Sequence, residues 1–329
     1  MKKNLTKLFA LLLVLAMITV MFAGCKGNDE PTDPSNSDAS TEPSSEATEK
    51  HENKVIYGSD TELSGDLGNA WWTNNATDKL IRDLTNDYDV ITFDQFGQMK
   101  VNETVSDGVQ TAENEDGTAT YTVKIKQGLT YSDGTPITAA DYVAYMLVQF
   151  SPATLEAGAT VSSDTVVGGT EYQNGESKVL AGLRLLDEYT YSISITPDYA
   201  NYYYGLTYAS LSPLYLPLYS SAALTVKDDG EGAYLDGGEL KADEINASRY
   251  VYENRVTAGP YVIKSIDTGA LTATLEINPN YAGNFEGQKP SIKTIVVVKS
   301  EDDSKMDAFT TGEITFLSQL SEGDQIKTA

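Results

Sequence analysis

The chain has 329 residues, 40% of them hydrophobic, which is enough for more than one apolar core. Its formal net charge of -25 argues against nucleic acid and anionic membrane as partners, since both need basic patches. One cysteine and one histidine exclude an internal disulfide and a zinc site built from those residues.

The first fifty residues read as targeting. Lys2, Lys3 and Lys7 form a basic n-region, and Leu8 to Phe22 is apolar apart from Thr19. That run is short for a membrane span and fits the h-region of a signal peptide. It leads into Phe22-Ala23-Gly24-Cys25, which resembles a bacterial lipobox, with Phe22 in place of the usual aliphatic residue. The expectation is a signal peptide over 1–24, cleavage before Cys25 and lipid attachment at Cys25. The alternative is an ordinary secretory signal with an incidental cysteine. Residues 26–54 contain no large aliphatic, Phe, Tyr or Trp residue. They cannot bury enough surface to offset chain entropy, so 25–54 is expected to be a disordered acidic linker that includes His51.

The folded part opens with a short strand, Val55 to Gly58. A polar loop runs from Ser59 to Asn69, followed by Trp71 and Trp72, the two tryptophans of the chain. Each indole is either a flat apolar wall for a ligand side chain or a plug in the core beneath the loop. Glu62 and Asp66 are either partners for a ligand amino group or solvated acids. A helix is expected over Asp78–Leu84, with Leu80, Ile81 and Leu84 on one side. Val90 to Gly97 reads as strand into turn, Met99 to Val105 continues it, and Glu113 to Gly117 is an acidic turn. Asn114-Glu115-Asp116-Gly117 lacks the alternating ligand spacing of an EF-hand loop, so calcium is not expected there.

Tyr121 to Phe150 reads as strand, turn and helix. Tyr121, Val123 and Ile125 alternate with Thr122, Lys124 and Lys126, the period of a half-buried strand. Ser132-Asp133-Gly134-Thr135-Pro136 is turn chemistry. Thr138 with Asp141 makes a capping box with Asp in place of Glu. Val143, Met146, Leu147 and Phe150 give the helix one apolar face. This wording, Tyr-Thr-x-x-Ile-x-x-Gly-Leu-x-Tyr-Ser-Asp-Gly-Thr-Pro-Ile-Thr-Ala-Ala-Asp-Tyr-Val, closely resembles that of the extracellular solute-binding proteins of peptide-type ABC transporters, the oligopeptide- and dipeptide-binding family.

Later segments keep the family's order. Residues 153–178 are Gly-, Ser- and Thr-rich and read as a long loop with a short helix. Leu180 to Asp187 resembles the family segment leading into a strand, which Tyr189, Tyr191, Ile193 and Ile195 mark by alternation. Tyr199 to Tyr219 carries Tyr199, Tyr202, Tyr203, Tyr204, Tyr208, Tyr215 and Tyr219. It is either a ligand surface of broad rings with hydroxyls or an interdomain strip of buried tyrosines. Ser212-Pro213-Leu214 matches the family's Ser-Pro wording, in a segment that the resemblance places near the hinge. Lys227 to Asp243 reads as an acidic, Gly-rich loop. Gly259-Pro260-Tyr261 matches the family motif that opens a strand, Leu271 to Ile277 is the next strand, and Asn278-Pro279-Asn280-Tyr281 matches Asn-Pro-x-Tyr. Ile292 to Val298 is mostly apolar, the pattern of a strand covered on both faces. A helix over Ser304–Thr311 ends at Gly312, and Gly312-Glu313-Ile314-Thr315 matches Gly-Glu-Ile-Asp with Thr315 for the Asp.

The resemblance implies an α/β fold of periplasmic-binding-protein type II, in the large peptide-binding subclass, with mixed sheets, flanking helices and an incomplete second lobe. Residues 55–85 and 197–320 would form a discontinuous lobe I, 86–196 a subdomain attached to it, and 321–329 the start of a truncated lobe II, so the chain reads as an amino-terminal fragment. In the family the loop after the first strand lines the ligand cleft. Thr61, Glu62, Leu63, Ser64, Trp71 and Trp72 are therefore candidate ligand contacts, with Tyr208 from the tyrosine stretch.

No Gly-x-Ser-x-Gly, Ser-x-x-Lys, phosphate loop or dinucleotide fingerprint occurs in the sequence. The lone histidine lies in the linker, so no imidazole base is at hand for a nucleophile. The expected function is a lipid-anchored receptor, without catalysis, cofactor or metal. It would capture oligopeptides at the extracellular face of the membrane, on the periplasmic side where an outer membrane exists. Its expected partners are the peptide and the ABC permease with its ATPases, and the expected state is a monomer. The alternatives are the same fold binding an oligosaccharide or metal chelate, and a secreted glycan hydrolase using two acids.

Overall fold

A computed structural model describes residues 53–72, 75–320 and 323–328. The signal peptide, Cys25 and nearly all of the expected linker, His51 included, lie outside the described residues. In chain order the strands are β1 (Lys54–Ser59), β2 (Ile91–Phe93), β3 (Met99–Val101), β4 (Ser106–Glu113), β5 (Ala119–Ile125), β6 (Leu183–Asp187), β7 (Thr190–Ile195), β8 (Thr225–Asp228), β9 (Ala233–Asp236), β10 (Tyr261–Asp267), β11 (Thr272–Ile277), β12 (Thr294–Lys299) and β13 (Phe316–Leu317). The helices used below are α1 (Ala76–Thr85), α2 (Ala139–Gln149), α3 (Ala242–Ser248) and α4 (Lys305–Thr311).

Two sheets dominate. One has five strands in the order β10-β11-β12-β1-β13, and β1 runs parallel to both of its neighbours. The other has four antiparallel strands in the order β4-β5-β7-β6. β5 buries Ala119, Tyr121, Val123 and Ile125 on one face, as its alternation predicts. Those residues share a core with Val143, Met146, Leu147 and Phe150 of the α2 segment. Each such fully buried side chain is worth about 1.5–3 kcal/mol. The capping box is present: the Thr138 N–H donates to Asp141 Oδ2 at 2.8 Å. Burial pushes the Asp141 carboxyl above its ordinary value, and the Thr138 and Tyr131 hydrogen bonds only partly offset this.

The family wording turns out to be the joint between the two sheets. In the Ser132–Pro136 turn, Gly134 has φ 87, a conformation that favours glycine. Ser132 N donates to Thr257 O at 2.8 Å, Thr257 N to Ser132 Oγ at 3.0 Å, and Asn280 Nδ2 to Ser132 O at 3.0 Å. Gly259 N donates to Thr85 O at 2.8 Å, and a Cβ on Gly259 would stand 2.4 Å from the Thr85 carbonyl carbon. That approach explains the glycine of Gly-Pro-Tyr. In Asn-Pro-x-Tyr, Asn278 Nδ2 donates to Gly259 O at 2.9 Å, and Tyr281 stacks on Tyr88 with ring centroids 5.3 Å apart.

The structure departs from the sequence reading in several places. Ser106–Glu113 is a strand, although only its first residue is fully buried, because it pairs as the sheet edge against β5. Residues 180–187 contain β6 itself rather than a lead-in. Within the expected loop after Lys227, β8 and β9 form a hairpin that docks on β6. Leu180 N donates to Ala233 O at 2.9 Å, and the Arg184 fork grips Asp228 with both contacts at 2.8 Å. In β12 only Ile295 and Val297 are buried, so the strand is covered on one face rather than two. The stretch after Pro152 holds two short helices, Pro152–Glu156 and Gly169–Gln173.

Candidate functional site

The loop Asp60–Trp72 leaves the carboxyl end of β1, beside its parallel neighbours, the usual place for ligand loops in open α/β sheets. Its backbone is fixed residue by residue. The Asp60 carboxylate takes Lys305 Nζ at 2.8 Å and Ser300 Oγ at 2.9 Å, and its carbonyl takes Lys299 Nζ at 2.9 Å. Burial works to raise the Asp60 pKa, but these hydrogen bonds and the two lysines hold it below the ordinary value. The Lys305 side chain has no exposed surface and is shared with Asp302 at 2.7 Å. Desolvation works to lower its pKa, and the two carboxylates keep it raised.

Thr61 offers its carbonyl to Thr77 Oγ1 at 2.5 Å, and Glu62 offers its carbonyl to Asn75 Nδ2 at 2.9 Å. Asn75 also caps α1, accepting from Thr77 N at 3.0 Å and Asp78 N at 3.1 Å. The fully buried Asp78 carboxylate then accepts from Ser64 N at 3.1 Å, from Gly65 N at 3.0 Å and from Ser64 Oγ. Gly65 has φ 79, and a Cβ there would lie 2.4 Å from the Tyr252 hydroxyl, which donates to Gly65 O at 2.8 Å.

The second half of the loop is held by the segment after α3. Arg249 meets the Asp66 carboxylate through Nε at 3.0 Å and Nη2 at 2.5 Å, a bidentate pair with little exposure. Burial works to raise the Asp66 pKa, but Arg249 and the Gly68 N–H hold it below the ordinary value. The same guanidinium lies 4.8 Å from the Trp72 ring centroid. Arg255 Nη2 donates to Leu67 O at 3.1 Å. Where the loop ends, Asn69 and Ala70 border a cavity of about 290 Å³ whose wall continues through Arg82 of α1, Asn86 just after it, Tyr131 and Tyr145.

These contacts sort the candidate residues. Glu62 and Ser64 have exposed side chains, and Thr61 is half-buried. Leu63 is 4% exposed and packs in the core of the five-stranded sheet, so any ligand contact there would come from its backbone. Trp71 is also 4% exposed, edge-on to Tyr145 at 5.4 Å, and its indole fills a third core cluster. Trp72 is half-buried and donates Nε1 to Ala157 O at 3.1 Å. Tyr208 packs against the core of the four-stranded sheet, with Tyr199 and Tyr202 at 6.3 and 6.0 Å. Thus Leu63, the two tryptophans and Tyr208 belong to three separate clusters. Asp66 is not a solvated acid but one half of an ion pair. Sequence reasoning missed Asp78, Arg249, Tyr252 and Arg255 as the residues that shape the loop. Only Asn75, a cap residue directly before a helical run, carried a local signal.

A short parallel-stranded edge with a fixed loop at its carboxyl end, joined to a second sheet by a hydrogen-bonded turn, is the framework of the candidate site. Over 80% of this chain and 45% of the other, the structure resembles Listeria monocytogenes OppA bound to peptide, with a TM-score of 0.60 and 17% identity. It resembles Burkholderia pseudomallei OppA over 83% and 47%, with a TM-score of 0.60 and 16% identity. It resembles the oligopeptide-binding protein AppA of Bacillus subtilis, in complex with a nonapeptide, over 84% and 45%, with a TM-score of 0.56 and 18% identity. The fold is therefore the OppA type of periplasmic-binding-protein type II, and the chain spans less than half the length of these proteins. No curated protein sequence matches the chain. Residues 103–329 match the family model 'Bacterial extracellular solute-binding proteins, family 5 Middle', and the chain belongs to that family.

Proposed function

We propose that the chain is the ligand-capturing part of an ABC importer for oligopeptides, acting outside the cell and tethered through lipid on Cys25. The observation that carries this reading is the family match over residues 103–329. The loop supports it, because Thr61–Ser64 is held by Asp60, Asn75 and Asp78 while the Glu62 side chain is exposed. A fixed backbone suits a peptide, whose own backbone hydrogen bonds are common to all sequences. Thr61, Glu62, Ser64 and Trp72 are proposed to meet the ligand, with Leu63 and Trp71 as the apolar support beneath. Lobe I is proposed as 55–85 with 197–320 and its subdomain as 86–196, closing on a further lobe as a hinge. The protein acts as a monomer, without catalysis or cofactor, and hands the peptide to permease subunits with their ATPases.

Calorimetry of the complete receptor with a peptide pool and a sugar panel tests this. One-to-one binding of peptides without product in mass spectrometry is expected. Selective sugar binding, or release of a cleaved product, would overturn it. Residues 26–329 alone should bind peptide poorly, and near-native affinity would show that no further lobe is needed.

A further inference from the structure

The cavity beside the loop has a property the peptide reading does not use. It lies where α1, the Ser212–Tyr219 segment and residues 255–258 meet, and its walls are polar and apolar in about equal measure. Arg255 stands in the wall and is 9% exposed. Its Nη1 donates to the carbonyls of Ser248 at 2.7 Å and Val251 at 3.1 Å, and its Nη2 to that of Leu67. These oxygens satisfy N–H groups but carry no charge. Among the described residues no carboxylate forms an ion pair with Arg255, and the nearby Asp66 is already engaged by Arg249. Burying a cation without a counter-charge is costly, and a guanidinium keeps its proton when buried.

Two further cations stand in the wall. Arg82 brings a second guanidinium, 7% exposed, and Lys79 a third cation, which pairs with Asp83. Asp83 and Asp89 are the carboxylates of the wall, and Asp89 accepts from Ser212. At about 290 Å³ the space admits a small organic anion but not an extended peptide.

We propose that this cavity binds a small oxyanion, a carboxylate or phosphate, as the counter-charge of Arg255, independently of the ligand at Thr61–Ser64. Guanidinium groups take such anions through paired N–H donors.

Crystals of the chain soaked in arsenate, a phosphate analogue, should show an anomalous peak in the cavity. In solution, acetate and inorganic phosphate should each give a saturable change in tryptophan emission, since Trp71 packs on the wall residue Tyr145. Sodium chloride at matched ionic strength is the control. Arg255→Gln should weaken the response at least tenfold. Because Arg255 also braces the loop, a second variant is needed. Ala70→Glu, at an exposed position of the wall, supplies a tethered carboxylate and should abolish the response while leaving Tm unchanged. An empty cavity in the arsenate crystals, a response no larger than the chloride control, or an undiminished response in Ala70→Glu would each overturn the proposal.

Discussion

The loop Asp60–Trp72 and the segment Tyr199–Tyr219 offer the same kind of candidate, aromatic and polar side chains beside a strand end, and they are built in opposite ways. The loop is tied down by charge: Lys305 on Asp60, Asp78 under Ser64 and Gly65, Arg249 on Asp66. The tyrosine segment is held by packing and by hydrogen bonds such as Leu214 N to Asp141 O at 3.1 Å, with no ion pair among the described residues, and several of its rings are exposed. Tyr219 is buried, whereas Tyr203 is 83% exposed and touches mainly Tyr204, with ring centroids 4.8 Å apart. A fixed loop suits a binding surface because its ordering cost is met before the ligand arrives. Aromatic richness by itself does not mark such a place.

The contrast can be broken most strongly at Asp78. Asp78→Ala leaves two buried backbone N–H groups and a hydroxyl without their acceptor, and should cost roughly 3 kcal/mol in urea unfolding. A cost under about 1 kcal/mol would mean that the loop is held by something else. Arg249→Met comes next. The pair it breaks is mostly but not fully buried, so about 2 kcal/mol is expected, below the range for fully buried pairs. A cycle with Asp66→Asn should show strong coupling.

Acid should sharpen the same point. The folded pKa of Asp66 lies below its ordinary 3.8, so its contribution to stability is complete above that value and is lost as pH falls through the folded value. Unfolding followed downward from pH 5 should therefore show an acid-side loss that is smaller in Arg249→Met, and identical curves would remove Asp66 from the account. The smallest effect belongs to the other region. Tyr203→Ser should change stability by less than about 0.5 kcal/mol. Loss of ligand affinity in that variant, with Tm unchanged, would move the binding surface toward the tyrosines.

Much of the scaffold was legible because it is local. The β5 alternation, the Thr138–Asp141 box, the Asp133–Gly134 turn and the Gly312 stop at φ 81 need only neighbours in sequence. The site was legible only in position. Which residues would fix the loop depends on partners 183 and 245 positions away, as for Asp66 with Arg249 and Asp60 with Lys305, and spacing carries no trace of them. The edge strand β4 was missed for a related reason. Only Ser106 in it is fully buried, so the hydrophobic period that announces a strand is absent.

The turn at Ser132 has a practical consequence. Hydrogen bonds among Ser132, Thr257 and Asn280 rivet the two sheets together, and Gly259 leaves no slack against Thr85. Dyes attached across that seam should keep a constant separation while solute is captured and released. Such a pair would give a built-in ruler of fixed length, against which the travel of any other part of the receptor can be calibrated.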